Sequence, residues 1–193
     1  MTLIEPNTSA ELTAGDPNTL GLALRLVWQE DRFGHAIELL RGGQRTLLLE
    51  TLADSVAVPW PANPPLQQAS LETIDGRLAI LGVGLAGTSH WSISMETLAG
   101  DSQGLRIDCA CRCTSLPESL GSGYRWAEGV DCQTDAFAGI LFRADEACVQ
   151  IAPDDQQTVA TCSSDDRVCE IRPESLGEGN AHTIRWCYQI LLM

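Results

Sequence analysis

A chain of 193 residues is long enough to bury a substantial core, and all-β domains of this size commonly stay undivided. Its formal charge of -14 repels phosphate backbones and anionic lipid, which argues against nucleic-acid and membrane partners. All 12 of its basic residues are Arg, so any mechanism that needs a Lys Schiff base or a Lys general base is excluded.

Residues 1–19 are polar, carry Pro6 and Pro17 and show no sustained period, and are read as a flexible or loosely docked arm. The expected domain therefore spans 20–193. Met1 to Thr8 lacks the basic and apolar regions of a signal peptide, which points to the cytoplasm. Eight Cys in such a chain then read as reduced thiols rather than a disulfide framework.

From Leu22 the pattern alternates, as a half-buried strand does. A turn at 31–34 follows, then a hairpin of 35–40 and 46–52 closed by Gly42-Gly43. Four prolines in 58–65 remove ladder donors and make this stretch an extended crossover loop beside Trp60. Asp75-Gly76 closes the next hairpin, 71–74 with 77–83. The clearest alternation lies at 90–96 and 105–113, one antiparallel hairpin turning near 101–104. Its register places His90 by Arg112, Ser94 by Asp108 and Glu96 by Arg106 on one face. Trp91, Ile93, Met95, Ile107, Cys109 and Cys111 take the other. Residues 116–126 have no clear period and read as a long loop with one helical turn after Pro117. Strand-like pieces resume at 136–142, 147–151, 158–162, 168–171 and 182–190. The expected fold is all-β: a single antiparallel β-sandwich of roughly ten or more strands with short helices or none.

Gly82-Val83-Gly84-Leu85-Ala86-Gly87 matches a dinucleotide-binding fingerprint, but the strand-like 88–96 follows where that motif needs a helix N-terminus. The glycines read as a bulge, a corner or a close backbone approach. Cys109, Cys111 and Cys113 have the spacing to bind a soft metal, yet they share a face with Leu105 and Ile107 and read as small buried hydrophobes. Cys162 and Cys169 flank a turn closely enough for a cross-strand bridge in an oxidising compartment. Asp154-Asp155 and Asp165-Asp166 lack calcium-loop spacing. No cofactor and no metal are expected.

Three stretches, Asp54 to Gln67 through Val58-Pro59-Trp60-Pro61, Gly82 to Ser92, and Leu120-Gly121-Ser122-Gly123-Tyr124-Arg125, resemble an uncharacterised bacterial family of the planctomycete type. The resemblance covers the middle and C-terminal two thirds of the chain and implies a β-sandwich. That family carries no established activity, so no residue role transfers with it. The succession of strands is also similar, at fold level only, to galactose-mutarotase-like and carbohydrate-binding sandwiches.

The polar face of the 90–96/105–113 hairpin is the remaining candidate. His90, Arg106, Asp108 and Arg112 are the groups that recognise sugars and carboxylates, with neighbouring aromatic loops as stacking platforms. The same residues also suit a solvated ladder of ion pairs such as Glu96 with Arg106. The functional expectation is a non-catalytic binding or assembly module for a carbohydrate or another small polar ligand. The alternative is a carbohydrate-active enzyme, mutarotase-like or lyase-like, that uses His90 with Glu96 or Asp108 as acid and base.

Overall fold

Alternation over ten residues leaves each strand with one apolar face, and an apolar face has to be covered by another layer. In the computed structural model two antiparallel sheets cover one another. It describes residues 2–6, 8–53, 58–99, 103–135, 139–177 and 181–193. In chain order the strands are β1 (Thr2–Ile4), β2 (Ala10–Asp16), β3 (Leu20–Gln29), β4 (Arg32–Arg41), β5 (Gln44–Thr51), β6 (Gln68–Ile74), β7 (Arg77–Ala86) and β8 (Ser89–Thr97). They continue as β9 (Gly104–Cys113), β10 (Ser122–Trp126), β11 (Asp131–Asp135), β12 (Gly139–Ala144), β13 (Ala147–Pro153), β14 (Thr158–Ser163), β15 (Val168–Pro173) and β16 (His182–Leu192). The first sheet runs β1-β6-β7-β8-β9-β16-β13-β12-β11, and the second runs β14-β15-β10-β5-β4-β3-β2. The described residues contain no helix, and none therefore crosses a membrane as one.

The two inner faces share one apolar cluster. Trp91, Ile93, Met95, Ile107 and Trp186 of the first sheet meet Leu12, Leu24, Ile37 and Leu49 of the second. Cys109, Cys111 and Cys113 sit in the middle of the first sheet's inner face, fully buried. Cys109 and Cys111 lie in register between Ile93 and Trp186 and between Trp91 and Ile184. Small thiols there leave room for the two indoles, which meet edge to face at 6.1 Å. Burial pushes all three thiols up from their ordinary values, so they remain protonated packing groups.

Turn chemistry agrees with the sequence at the hairpins. Gly42-Gly43 and Asp75-Gly76 all have positive φ, as two-residue turns of the type I′ class require. Gly84 is a close approach: a Cβ there would lie 1.7 Å from the Pro65 carbonyl oxygen. The Gly82 to Gly87 run thus presses β7 against the Pro-rich crossover, and no helix follows it to cradle a pyrophosphate.

Three expectations are corrected. The N-terminal arm is ordered sheet: β1 pairs with β6, and β2 pairs with β3 over seven residues and buries Ala10, Leu12 and Ala14. The alternation Ala10, Leu12, Ala14 is short and built on small residues, which hid it. The loop expected through 126 ends at 121, because Ser122–Trp126 forms β10 between β5 and β15, with Tyr124 and Trp126 buried. No helical turn follows Pro117. The short polar strand β11 has only Cys132 as an apolar mark, and the sequence pattern does not show it. Residues 101 and 102 of the expected turn, 136–138 of the expected strand and 54–57 of the Asp54 to Gln67 stretch lie outside the described residues.

Candidate functional site on the outer face of the first sheet

The outward positions of β7, β8, β9 and β16 line up in rows that cross all four strands. Leu85, His90, Arg112 and Thr183 form one row, and Val83, Ser92, Ala110 and Arg185 form the next. Leu81, Ser94, Asp108 and Cys187 make the third, and Ala79, Glu96, Arg106 and Gln189 the fourth. The cross-strand pairs expected from the sequence, His90 with Arg112, Ser94 with Asp108 and Glu96 with Arg106, are all in direct register.

The four rows divide into two chemically different halves. In the third and fourth rows Arg106 donates from Nε to Asp154 at 2.8 Å, and from its two terminal nitrogens to Glu96 and Asp108 at 3.4 Å each. Arg185 closes on Asp108 at 2.9 Å, and Gln189 donates to Asp154 at 2.5 Å. Burial alone would raise the Asp154 carboxyl, but hydrogen bonds from Arg106, Cys187 and Gln189 outweigh it and hold that carboxyl below its ordinary value. The Arg106 guanidinium, bonded to Asp154, is held firmly protonated. This half is a saturated network whose cations are already neutralised, as in a ladder of cross-strand ion pairs.

The first row, and the second apart from Arg185, are open. The side chains of His90 and Arg112 are exposed and make no hydrogen bond or ion pair among the described residues. Beside them Val83 and Leu85 stand about half exposed, at 50% and 52%. Ser92 and Ala110 are small, so the sheet surface dips between the taller side chains. The resulting concavity holds about 670 Å³ and is bounded by Gln67, Gln68, Val83, Leu85, His90, Ser92, Ala110, Arg112 and Thr183. Its volume is that of a small-molecule site. A second hollow continues over Ser94, Asp108 and Arg185. Gln67 fixes the rim, because its side chain accepts from the Leu85 amide at 2.6 Å and donates to the Leu85 carbonyl at 2.9 Å.

The structure therefore separates the four nominated binding residues. His90 and Arg112 share the open concavity, whereas Arg106 and Asp108 belong to the saturated network. It also separates the alternative acid–base pairs. His90 and Asp108 lie four residues apart along the paired strands, about 13 Å, and His90 and Glu96 lie six apart, about 20 Å. Paired groups in glycoside hydrolysis stand roughly 5 to 9.5 Å apart. A shared face is not a shared site. The expected aromatic platforms are elsewhere too: Trp28 stacks edgewise on Phe33 at 4.8 Å, and Trp91, Trp126 and Trp186 have their rings in the core. Among the described residues no cluster of three or more His, Cys, Asp or Glu is arranged to hold a metal.

A second polar feature had no linear signature. His35 Nε2 and the Tyr124 hydroxyl lie 2.6 Å apart, and the Tyr124 and Tyr188 hydroxyls 2.5 Å apart, so this chain of hydrogen bonds crosses from one sheet to the other. Ser122 Oγ accepts from the Trp186 indole at 3.0 Å nearby. Burial lowers the His35 imidazole to about 4, so it is neutral at physiological pH. His35 also lines a hollow of about 260 Å³ with Gln29, Thr51 and Asn63. Asn63 is committed there to the backbone of Leu52 and Gly123, and Thr51 to the His35 amide. His35, Thr51 and Asn63 of this smaller hollow thus serve the fold, whereas His90 and Arg112 of the outer concavity face solvent.

Comparison with protein-family models, with curated proteins and with solved structures found no match for this chain.

Proposed function

We propose that the protein is a non-catalytic binding module whose outer concavity takes a small polar ligand carrying a carboxylate, with an acidic sugar of the uronate class as the best fit. One observation carries this reading. In a chain with 26 acidic residues against 12 Arg, the described residues bounding the concavity include an unpaired Arg and a His and no Asp or Glu. An unpaired guanidinium presents a planar fork of donors that matches a carboxylate with two parallel hydrogen bonds. Ser92, Thr183, Gln68 and His90 supply donors and acceptors for hydroxyl groups, and Val83 and Leu85 offer apolar surface to the face of a ring.

Calorimetric titration with glucuronate and galacturonate, beside neutral glucose and galactose, tests the reading. The uronates bind and the neutral sugars bind more weakly or undetectably. Arg112→Ala weakens uronate binding roughly 10- to 100-fold, the worth of a charge-assisted pair. Arg106→Ala leaves the affinity within a few fold. Equal binding to wild type and Arg112→Ala, or a preference for the neutral sugars, overturns the assignment.

A further inference from the structure

The two sheets leave open edges that meet on one side of the sandwich. β11 is the last strand of the first sheet and β14 the first strand of the second, and the two are in contact. Each presents a partly exposed thiol packed against the core cluster, Cys132 on β11 and Cys162 on β14. Thr134, two residues beyond Cys132 and so on the same face of β11, places its hydroxyl oxygen 2.8 Å from Cys162 Sγ. Cys162 is thus held against the face of β11 that carries Cys132. We propose that Cys132 and Cys162 are a modification site: a dithiol that low-molecular-weight disulfides oxidise to a covalent clasp between the two sheets.

The other thiols do not compete equally. Cys111 and Cys113 approach within 3.6 Å, but both are fully buried in the middle of the sheet, where an oxidant cannot reach them. Cys169 stands in register with Cys162 on β15 and is itself fully buried. The edge pair joins proximity to access.

The chemistry balances with oxidised glutathione as co-reactant. Cys162 loses its proton, and its thiolate attacks one glutathione sulfur; the S–S bond of glutathione breaks and one glutathione thiolate leaves. Thr134 can donate a hydrogen bond to that Cys162 thiolate. Cys132 then loses its proton and attacks the Cys162 sulfur of the mixed disulfide, releasing the second glutathione. Two protein thiols are oxidised and one glutathione disulfide is reduced to two glutathione thiols, which take up the two protons the cysteines gave up. Burial and the adjacent Cys162 push the Cys132 thiol up to about 12. The second step therefore accelerates with rising pH.

The test is peptide mapping after incubation of the full-length protein with oxidised glutathione at alkaline pH, with free thiols alkylated before cleavage at Arg. The expected product links fragment 126–143, which carries Cys132, to fragment 144–167, which carries Cys162. Two of the eight thiols disappear, and the midpoint of thermal unfolding rises by roughly 5 to 10 °C for a loop of this length. The link is lost in both Cys132→Ser and Cys162→Ser and retained in Cys169→Ser and Cys148→Ser. A link between fragments 144–167 and 168–185, the latter uncut at Arg172-Pro173, assigns the bridge to Cys162 and Cys169 and overturns the proposal. Persistence of all eight thiols, or a glutathione adduct that never resolves, also overturns it.

Discussion

At His35 burial gives the protein a source of acid sensitivity that lies above the carboxylate range. Its imidazole titrates near 4 in the fold, whereas an exposed imidazole titrates near 6.5. Between those values the unfolded chain binds the proton and the folded chain does not. Stability therefore falls as pH drops through that window, by roughly 3 kcal/mol in total, and the loss levels off below about 4. Urea unfolding at pH 7.5 and pH 5, for wild type and for His35→Gln, checks the sign; the variant is expected to lose most of the slope in this window. An unchanged slope would place the acid sensitivity in carboxylates. The cysteines of β9 give a complementary prediction. Because Cys109 and Cys111 fill the space between neighbouring large side chains, Cys111→Leu overpacks the core and costs about 1 to 3 kcal/mol in denaturant unfolding. The facing of these thiols was legible from Ile107 and Trp91 at the same parity. The hydrogen bonds between His35 and Tyr124 and between Tyr124 and Tyr188 were not, because they join residues 89 and 64 positions apart.

Among the elements, β2 separates sequence pattern from tertiary structure. Its polar residues suggested a free arm, yet Leu12 is 1% exposed and pairs across from Leu24. Leu12→Ala is expected to cost about 2 to 5 kcal/mol, measured by chemical denaturation. A cost near zero would restore the flexible arm. The β8–β9 hairpin is the opposite case. Alternation is strict over both strands, so facing and register could be read before the fold was known. Alternation reports facing and says nothing of what lies above the face. The split between a saturated half and an open half depends on Asp154, just past the end of β13, reaching Arg106 and on Arg185 from β16 reaching Asp108, and neither strand is a sequence neighbour of the hairpin. The open half depends in turn on two small residues, Ser92 and Ala110, whose rows become a hollow only when β7 and β16 flank them.

For the whole molecule, an acidic surface sets the background against which one basic concavity becomes meaningful. A net charge of -14 repels anions at a distance, so a carboxylate ligand gains from Arg112 at contact rather than from long-range steering. Screening by salt weakens that repulsion and the contact alike, which makes affinity less informative than location. Location is read most directly by titrating glucuronate into isotopically labelled protein and following backbone amide shifts. The largest changes are expected on His90, Ser92, Arg112 and Thr183, in the first two rows of β8, β9 and β16. Shifts centred on Gln29, Thr51 and His35, around the smaller hollow, would contradict that location.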